Sequence, residues 1–359
     1  MVNEWQLPGR SRAASRLAAS RLAASRESLA AGRWPLVKGY SALYRHRVAG
    51  NCPMVRYLIR RLLLTIPVLL GVATLVFALI HLVPGDPAQA MLGDAASQEE
   101  VLKLRHTLGL DRPLLEQYGS FLAGIARGDL GTSFRYNGPV TAQIRDKFPN
   151  TVTLALAAML VAIVFAIPLG IVAAVFRGTA IDHAAMTAAL VGISMPNFWL
   201  GPLLAILFAV RLGWLPVSGM GGLTHLILPA VTLGAALAAI LARMTRASLL
   251  EELRELYVLA ARARGLSGTR AVLRHAFRNS LIPIVTIIGL QFGAVLTGTI
   301  ITETIFAWPG IGRLLIQAIN FRDYPLVQGC ILFISITYVT MNLLTDLTYG
   351  FLDPRIRFE

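Results

Sequence analysis

"AARARGLSGTRAVLRHAFRNSLIP", residues 260–283, carries five arginines and no acidic residue. It stands in a chain of 359 residues that is 55% hydrophobic and 14% charged. A soluble globular chain is about a quarter charged, so this composition points to a bilayer. A basic, glycine-punctuated segment between two apolar runs has four readings: a nucleic-acid patch, a lipid-surface anchor, a catalytic loop or a docking surface.

The net charge of +14 alone would suit nucleic acid. The positions of the charges argue otherwise. Basic residues gather in the first sixty residues and around 243–278, beside apolar runs, as flanks of membrane spans do. Phe277 is the single aromatic among the arginines of 260–283, too few for a base-stacking platform. The expected partners therefore include no nucleic acid. Two cysteines, Cys52 and Cys330, lack metal spacing and suggest no disulfide framework. Six scattered histidines form no HExxH motif, so metal catalysis has no support.

Six stretches are long and apolar enough to cross a bilayer, which takes about 20 residues. They are 62–83, 152–176, 184–210, 223–242, 281–302 and 329–352. The fourth is rich in alanine and glycine, which suits close packing inside a bundle. Prolines Pro67, Pro168, Pro196, Pro202 and Pro229 lie within or near these spans, where a bundle tolerates them. With a cytoplasmic N-terminus, 23 Lys/Arg fall inside and 10 outside. The positive-inside rule then predicts both termini and the 243–280 loop in the cytoplasm.

Residues 1–53 differ from the rest. "SRAASRLAASRLAASRES", residues 11–28, reads as a basic amphipathic helix, a disordered arm or a start-site extension, since Met54 opens a natural basic flank and span. Residues 54–83 form the expected first span, and 84–148 an extracytoplasmic helical subdomain. In that subdomain Val101, Leu104 and Leu108, then Leu114, Leu115, Tyr118, Phe121 and Leu122, recur at helical spacing. Ser97 and Glu100 have capping-box spacing. Its expected role is a lid on the bundle or part of a docking face. Residues 149–359 form a core with five spans and the loop 251–280.

Within that loop, Ser248 and Glu251 also have capping-box spacing, and Glu251, Glu252 and Glu255 favour a helix N-terminus. Leu253, Leu256, Tyr257, Ala260 and Ala261 fall on one stripe of the helix that follows. Gly265 is its expected stop. A second helical stretch runs through Ala271, Val272, His275 and Phe277, with Asn279 or Ser280 capping the next span. A lipid-surface helix wants a broad face of large apolar residues. This stripe ends in two alanines beside a glycine, a surface another backbone can approach closely, and protein docking is favoured over a lipid surface.

"YVLAARARGLSGTRAVLRHAFRNSLIPIVT", residues 257–286, resembles the coupling segment, or EAA loop, of ABC-importer permeases. The peptide-importer branch typically reads Tyr-Val-x-Thr-Ala-Arg-Ala-Lys-Gly-Leu, with Arg-Asn-Ala-Leu-x-Pro downstream. Ala260 takes the Thr place, Arg264 stands where lysine is usual, and the acidic residue that names the motif is missing. "HLVPGDP" (81–87), "GDLGTSF" (128–134), "GWLPVSG" (213–219), "FAWPGIGRLL" (306–315), "RDYPLVQG" (322–329) and "LDPRIR" (352–357) resemble the same branch in the expected order. The resemblance implies an all-α, six-helix inner-membrane permease, half of the channel of an importer for di- or oligopeptides, or for nickel chelates, glutathione or opines. It implies a second similar permease, two cytoplasmic ATPase subunits and an extracytoplasmic binding protein. ATPase coupling would fall to Glu255, Tyr257, Ala260, Ala261, Arg262, Ala263, Arg264, Gly265, Leu266, His275, Arg278 and Asn279.

The dipeptide Gly-Lys of a P-loop occurs nowhere in the chain, so ATP and its magnesium are expected on the partner. There is no GxSxG elbow either, and no catalytic residue is expected. Intramembrane charges are functional candidates by default. Glu303 and Asp346 lie near span ends, where interfacial placement is expected; the competing reading is a stand-alone proton-coupled carrier. Gly289 and Gly293 have GxxxG spacing, expected to serve helix packing.

Overall fold

The computed structural model describes residues 53–82, 86–93 and 96–352. The 1–52 part of the extension, residues 83–85 of "HLVPGDP" and the end of the closing "LDPRIR" motif lie outside the described residues.

The first long helix, α1, is Pro53–Leu82. Three shorter helices follow: α2 (Pro87–Leu92), α3 (Gln98–Thr107) and α4 (Leu114–Arg127). Local chemistry starts them. Asp86 accepts from the Ala88 N–H at 2.9 Å, with Pro87 in the first turn. Ser97 and Glu100 form the expected reciprocal capping box. Phe121, Leu122 and Ile125 of α4 pack on Ala73 and Val76 of α1. Tyr118 joins Thr74 by a hydroxyl–hydroxyl hydrogen bond of 2.7 Å. Leu114 and Leu115 face away and are exposed. The subdomain thus lies against the bundle.

A two-residue antiparallel pair follows, β1 (Thr132–Ser133) with β2 (Gly138–Pro139), in register Thr132↔Pro139. The bundle then comprises α5 (Val140–Val175), α6 (Ala180–Ser194), α7 (Asn197–Leu204, continued as a π-helix over Ala205–Arg211), α8 (Leu223–Glu252), α9 (Leu256–Ala263), α10 (Gly268–Arg270, continued as a π-helix over Ala271–Ala276), α11 (Phe277–Gly298), α12 (Ile300–Ile305), α13 (Ile311–Asn320) and α14 (Tyr324–Leu352). Among the described residues, five helices are long and apolar enough to span a membrane, and α6 with α7 makes a sixth if the bent pair is one span.

The expected third span, 184–210, is therefore corrected: it breaks at Met195–Pro196 and bends by 103°. The residue before a proline is pushed out of the helical region, and Met195 is extended at φ −86°, ψ 114°. Pro202 lies inside α7 without ending it, and the π segment follows from Ala205.

The expected packing role of the fourth span holds. Helix α8 lies against α5 so closely that a Cβ on Gly170 would sit 2.6 Å from Thr245 Cβ, and one on Gly234 2.8 Å from the Ala158 carbonyl oxygen. Ala230, Leu241 and Ala242 are buried there. Gly289 and Gly293 pack α11 against Thr345 and Met341 of α14, as the GxxxG spacing predicts. The helix α8 itself is longer than its apolar stretch. Its 30 residues reach about 45 Å at about 1.5 Å per residue, against a hydrocarbon core of about 30 Å. Ser248, expected to cap a new helix, lies buried within α8. The capping-box reading of Ser248 and Glu251 is wrong because the helix never stops there.

At the opposite end of α8, motifs far apart in sequence meet. Ser133 Oγ donates to Asp323 Oδ2 at 2.6 Å and the Arg135 N–H to the same oxygen at 3.0 Å, tying "GDLGTSF" to "RDYP". The Gly219 N–H donates to the Phe306 carbonyl at 2.8 Å, tying "GWLPVSG" to "FAWPGIG". Glu303 lies beneath this loop, fully buried. Its Oε1 accepts from Thr151 Oγ1 at 2.7 Å and Thr299 Oγ1 at 2.9 Å, and its Oε2 from the Arg313 N–H at 3.0 Å. Three donors offset the cost of burying the carboxylate. Asn150 Nδ2 donates to the Pro309 carbonyl and Trp308 Nε1 to the Asn150 carbonyl, both at 2.9 Å. Asp346 is ion-paired to Arg61 of α1 at 2.5 Å.

Candidate coupling site

Helix α8 ends in a tight turn. The Arg254 N–H reaches the Glu251 carbonyl and the Glu255 N–H the Glu252 carbonyl, each at 3.1 Å. Glu255 occupies the N-cap of α9 in extended conformation, with no side-chain cap bond. Eight residues later the helix closes in a Schellman motif. The Gly265 N–H donates to the Arg262 carbonyl at 2.9 Å and the Leu266 N–H to the Ala261 carbonyl at 3.3 Å. Gly265 carries φ +89°, which only glycine adopts at no steric cost, so the expected stop is in place.

Which face α9 buries differs from the sequence pattern. Val258 and Ala261 are buried, whereas Leu256 is 80% exposed and Tyr257 and Ala260 are exposed too. Val258 joins Ala174 of α5, Leu249 of α8 and Ala271, Val272 and Ala276 beyond the bend in one apolar cluster. The expected stripe of Leu253, Leu256, Tyr257, Ala260 and Ala261 is thus divided. Ala261 belongs to the inner anchor; Leu256, Tyr257 and Ala260 face outward. Sequence periodicity could not separate the two faces because Val258, Leu259 and Ala263 make the helix apolar nearly all round. Arg262, Ala263, Arg264 and Gly265 are exposed, and Leu266 is half-buried.

The bend at Gly265–Gly268 holds as expected. The second stretch is not a separate short helix: α10, the π segment and α11 run on without interruption. Asn279 and Ser280 therefore do not cap the next span. Ser280 lies inside α11 and bonds the Phe277 carbonyl at 2.9 Å. Tyr257, Arg274, His275, Arg278 and Asn279 line an open cleft of about 420 Å³ between α9 and α11. Tyr257 Oη donates to Glu252 Oε2. Burial, then that bond, push the phenol up to about 12. Exposed Arg274 and Arg278 stand one turn apart, a like-charge pair that is mildly unfavourable in isolation. The site offers apolar side chains, small residues and cations to a partner surface. It holds no nucleophile–base pair, and among the described residues no group of His, Cys, Asp and Glu is placed to hold a metal.

Sequence reasoning missed one contact beside this site. Asp182, in the first turn of α6, is buried and held bidentately by Arg246 of α8: Nε to Oδ1 at 2.6 Å and Nη2 to Oδ2 at 2.7 Å. The Gly178 N–H adds a third bond at 2.9 Å. A lone acid at the mouth of an apolar run was the available signal.

Two family descriptions match the chain: "Binding-protein-dependent transport system inner membrane component" over residues 166–358 and its N-terminal counterpart over residues 54–155. The glutathione transport system permease protein GsiC of Pectobacterium atrosepticum is 46% identical over 306 residues, covering 85% of this chain and all of that protein. The di/tripeptide transport system permease protein DppB of Pseudomonas aeruginosa is 44% identical, again over 85% of this chain and all of its own length. Among solved structures, the MetNI methionine ABC transporter in an inward-facing conformation aligns with a TM-score of 0.50 at 16% identity, covering 59% of this chain and 96% of that one. At that identity the likeness concerns the fold alone.

Proposed function

Since this chain belongs to the inner membrane component family of binding-protein-dependent transport systems, and is a permease subunit of an ABC importer, we propose that it forms half of the path for di- or tripeptides or glutathione. The activities for which GsiC and DppB are named support that substrate range. An importer of this family works with an ATPase and a binding protein. The second half of the path is a homologous permease, and two ATPase subunits, carrying ATP and magnesium, dock on residues 251–280. The docking residues are Glu255, Tyr257, Ala260, Arg262, Ala263, Arg264, Gly265, Leu266, His275, Arg278 and Asn279, with Ala261 holding the helix from behind. Both termini and this segment face the cytoplasm. Residues 84–148 lie on the other side, with the binding protein.

The observation that carries the docking reading is the two-sidedness of α9. Val258 and Ala261 fasten it to the bundle, while Leu256, Tyr257 and Leu259 face outward. ATP-driven closure of the ATPases then moves a rigid projection and shifts the bundle between inward- and outward-open states. The test is co-purification of the ATPase with a Gly265→Glu subunit. At least a tenfold loss of bound ATPase is expected. An intact complex with ATP-coupled transport would falsify docking through this segment.

A further inference from the structure

We infer that the Asp182–Arg246 pair is a positioning strut that makes the bent pair α6–α7 move as one body with the coupling segment. This rests on residues 251–280 being the ATPase contact.

Apart from this pair, helix α6 packs on the bundle through small residues. Its buried apolar residues are Ala185 and Ala189, while Ile181, Leu190, Val191 and Ile193 are exposed. Its closest approach through a glycine is Gly192 to Ala239 of α8, where a Cβ would lie 3.4 Å away. Alanine contacts bury little area and let a helix slide. Among the described residues, the Asp182–Arg246 pair is the one side-chain polar contact from α6 to another helix of the bundle. Its two parallel bonds fix angle as well as distance, which a single contact does not. The third bond, from Gly178, fixes the turn between α5 and α6 to the same carboxylate.

On the other side of the strut, Arg246 sits beside Thr245, which is buried against Gly170 of α5, and three residues before Leu249, which is buried with Val258 of α9. A displacement of α9 therefore reaches Arg246 through packed side chains. Beyond the bend, Gly201 of α7 packs on Phe306 and Thr232; a Cβ added at Gly201 would lie 3.2 Å from the Phe306 ring. Phe306 belongs to the loop built over Glu303. The strut thus joins the docking end to the loop at the far end through α6 and α7.

Two measurements test this. In proteoliposomes holding the complete importer and its binding protein, Asp182→Asn and Arg246→Lys should each bind ATPase as wild type does and hydrolyse ATP. Transport per ATP should fall at least tenfold for Asp182→Asn and at least threefold for Arg246→Lys, which keeps the charge and loses the fork. A merely structural pair would lower the yield of complex and leave transport per ATP unchanged in what assembles. That outcome overturns the proposal. The second measurement leaves the pair intact, so folding does not confound it. Spin labels at exposed His183→Cys and Arg243→Cys, with Cys52→Ser, should report the same separation in the nucleotide-free and ATP-trapped importer. A changed separation overturns the rigid body. Loss of ATPase from the Asp182→Asn complex overturns the proposal as well, whereas an intact Gly265→Glu complex sinks the docking reading itself.

Discussion

The two ends of α8 handle polarity in opposite ways. At one end, Glu303 is buried with three donors of its own chain, and the loop above it is tied to α5 through Asn150 and Thr151. At the other, Arg274 and Arg278 line an open cleft and Leu256 and Leu259 face outward. The first end completes itself; the second leaves groups for another surface to satisfy. A folded chain leaves large apolar residues and clustered cations outward at a joint, and internal partners mark a scaffold.

The sharpest way to break this contrast is at the self-contained end. A methyl group at 310 would collide with the Glu303 carboxylate, a side-chain end that three hydrogen bonds hold in place. Gly310→Ala should cost about 3 kcal/mol of stability, read as a drop in thermal unfolding temperature of the purified subunit. Glu303→Ala comes next. It strands two hydroxyls and the Arg313 N–H in a buried site, at about 2 kcal/mol. If either variant unfolded like wild type, the loop would not be the scaffold described.

The end proposed to dock should respond the other way. Leu256→Ser removes an exposed side chain, so subunit stability should change by less than about 0.5 kcal/mol, while ATPase affinity, measured by titration in detergent, weakens by about 1 to 2 kcal/mol. A stability loss without an affinity loss would place Leu256 in the wrong class. The smallest effect is a pH dependence at Tyr257. Its phenol holds its proton more tightly in the folded chain, about 12 against an ordinary value of 10.0. Its contribution to stability is therefore fully present below pH 10 and is lost as pH rises through 12, because the folded site disfavours the phenolate. Comparing wild type with Tyr257→Phe over that range, the stability of wild type relative to the variant should fall as pH rises.

Much of this was legible in the residues. Apolar runs marked the spans because a bilayer demands about 20 such residues and leaves few alternatives. Gly265 announced the end of α9 because few residues accept φ +89°. The third span misled because hydropathy ignores backbone geometry: the run is apolar throughout, yet Met195 before Pro196 leaves the helical region. Ser248 misled for the converse reason. Its capping signal was genuine, but packing of Thr245 and Leu249 kept the backbone helical through it.

By itself, then, the order of residues determined the membrane class, the approximate spans and the glycine-stopped helix between two of them. Each follows from a local preference or a solvent requirement. Only the tertiary structure decided which side of α9 faces inward, that Asp182 finds Arg246, and that Glu303 meets Thr151 from 152 positions away. Those outcomes depend on which helices lie side by side, and a contact between distant residues leaves no periodic trace along the chain.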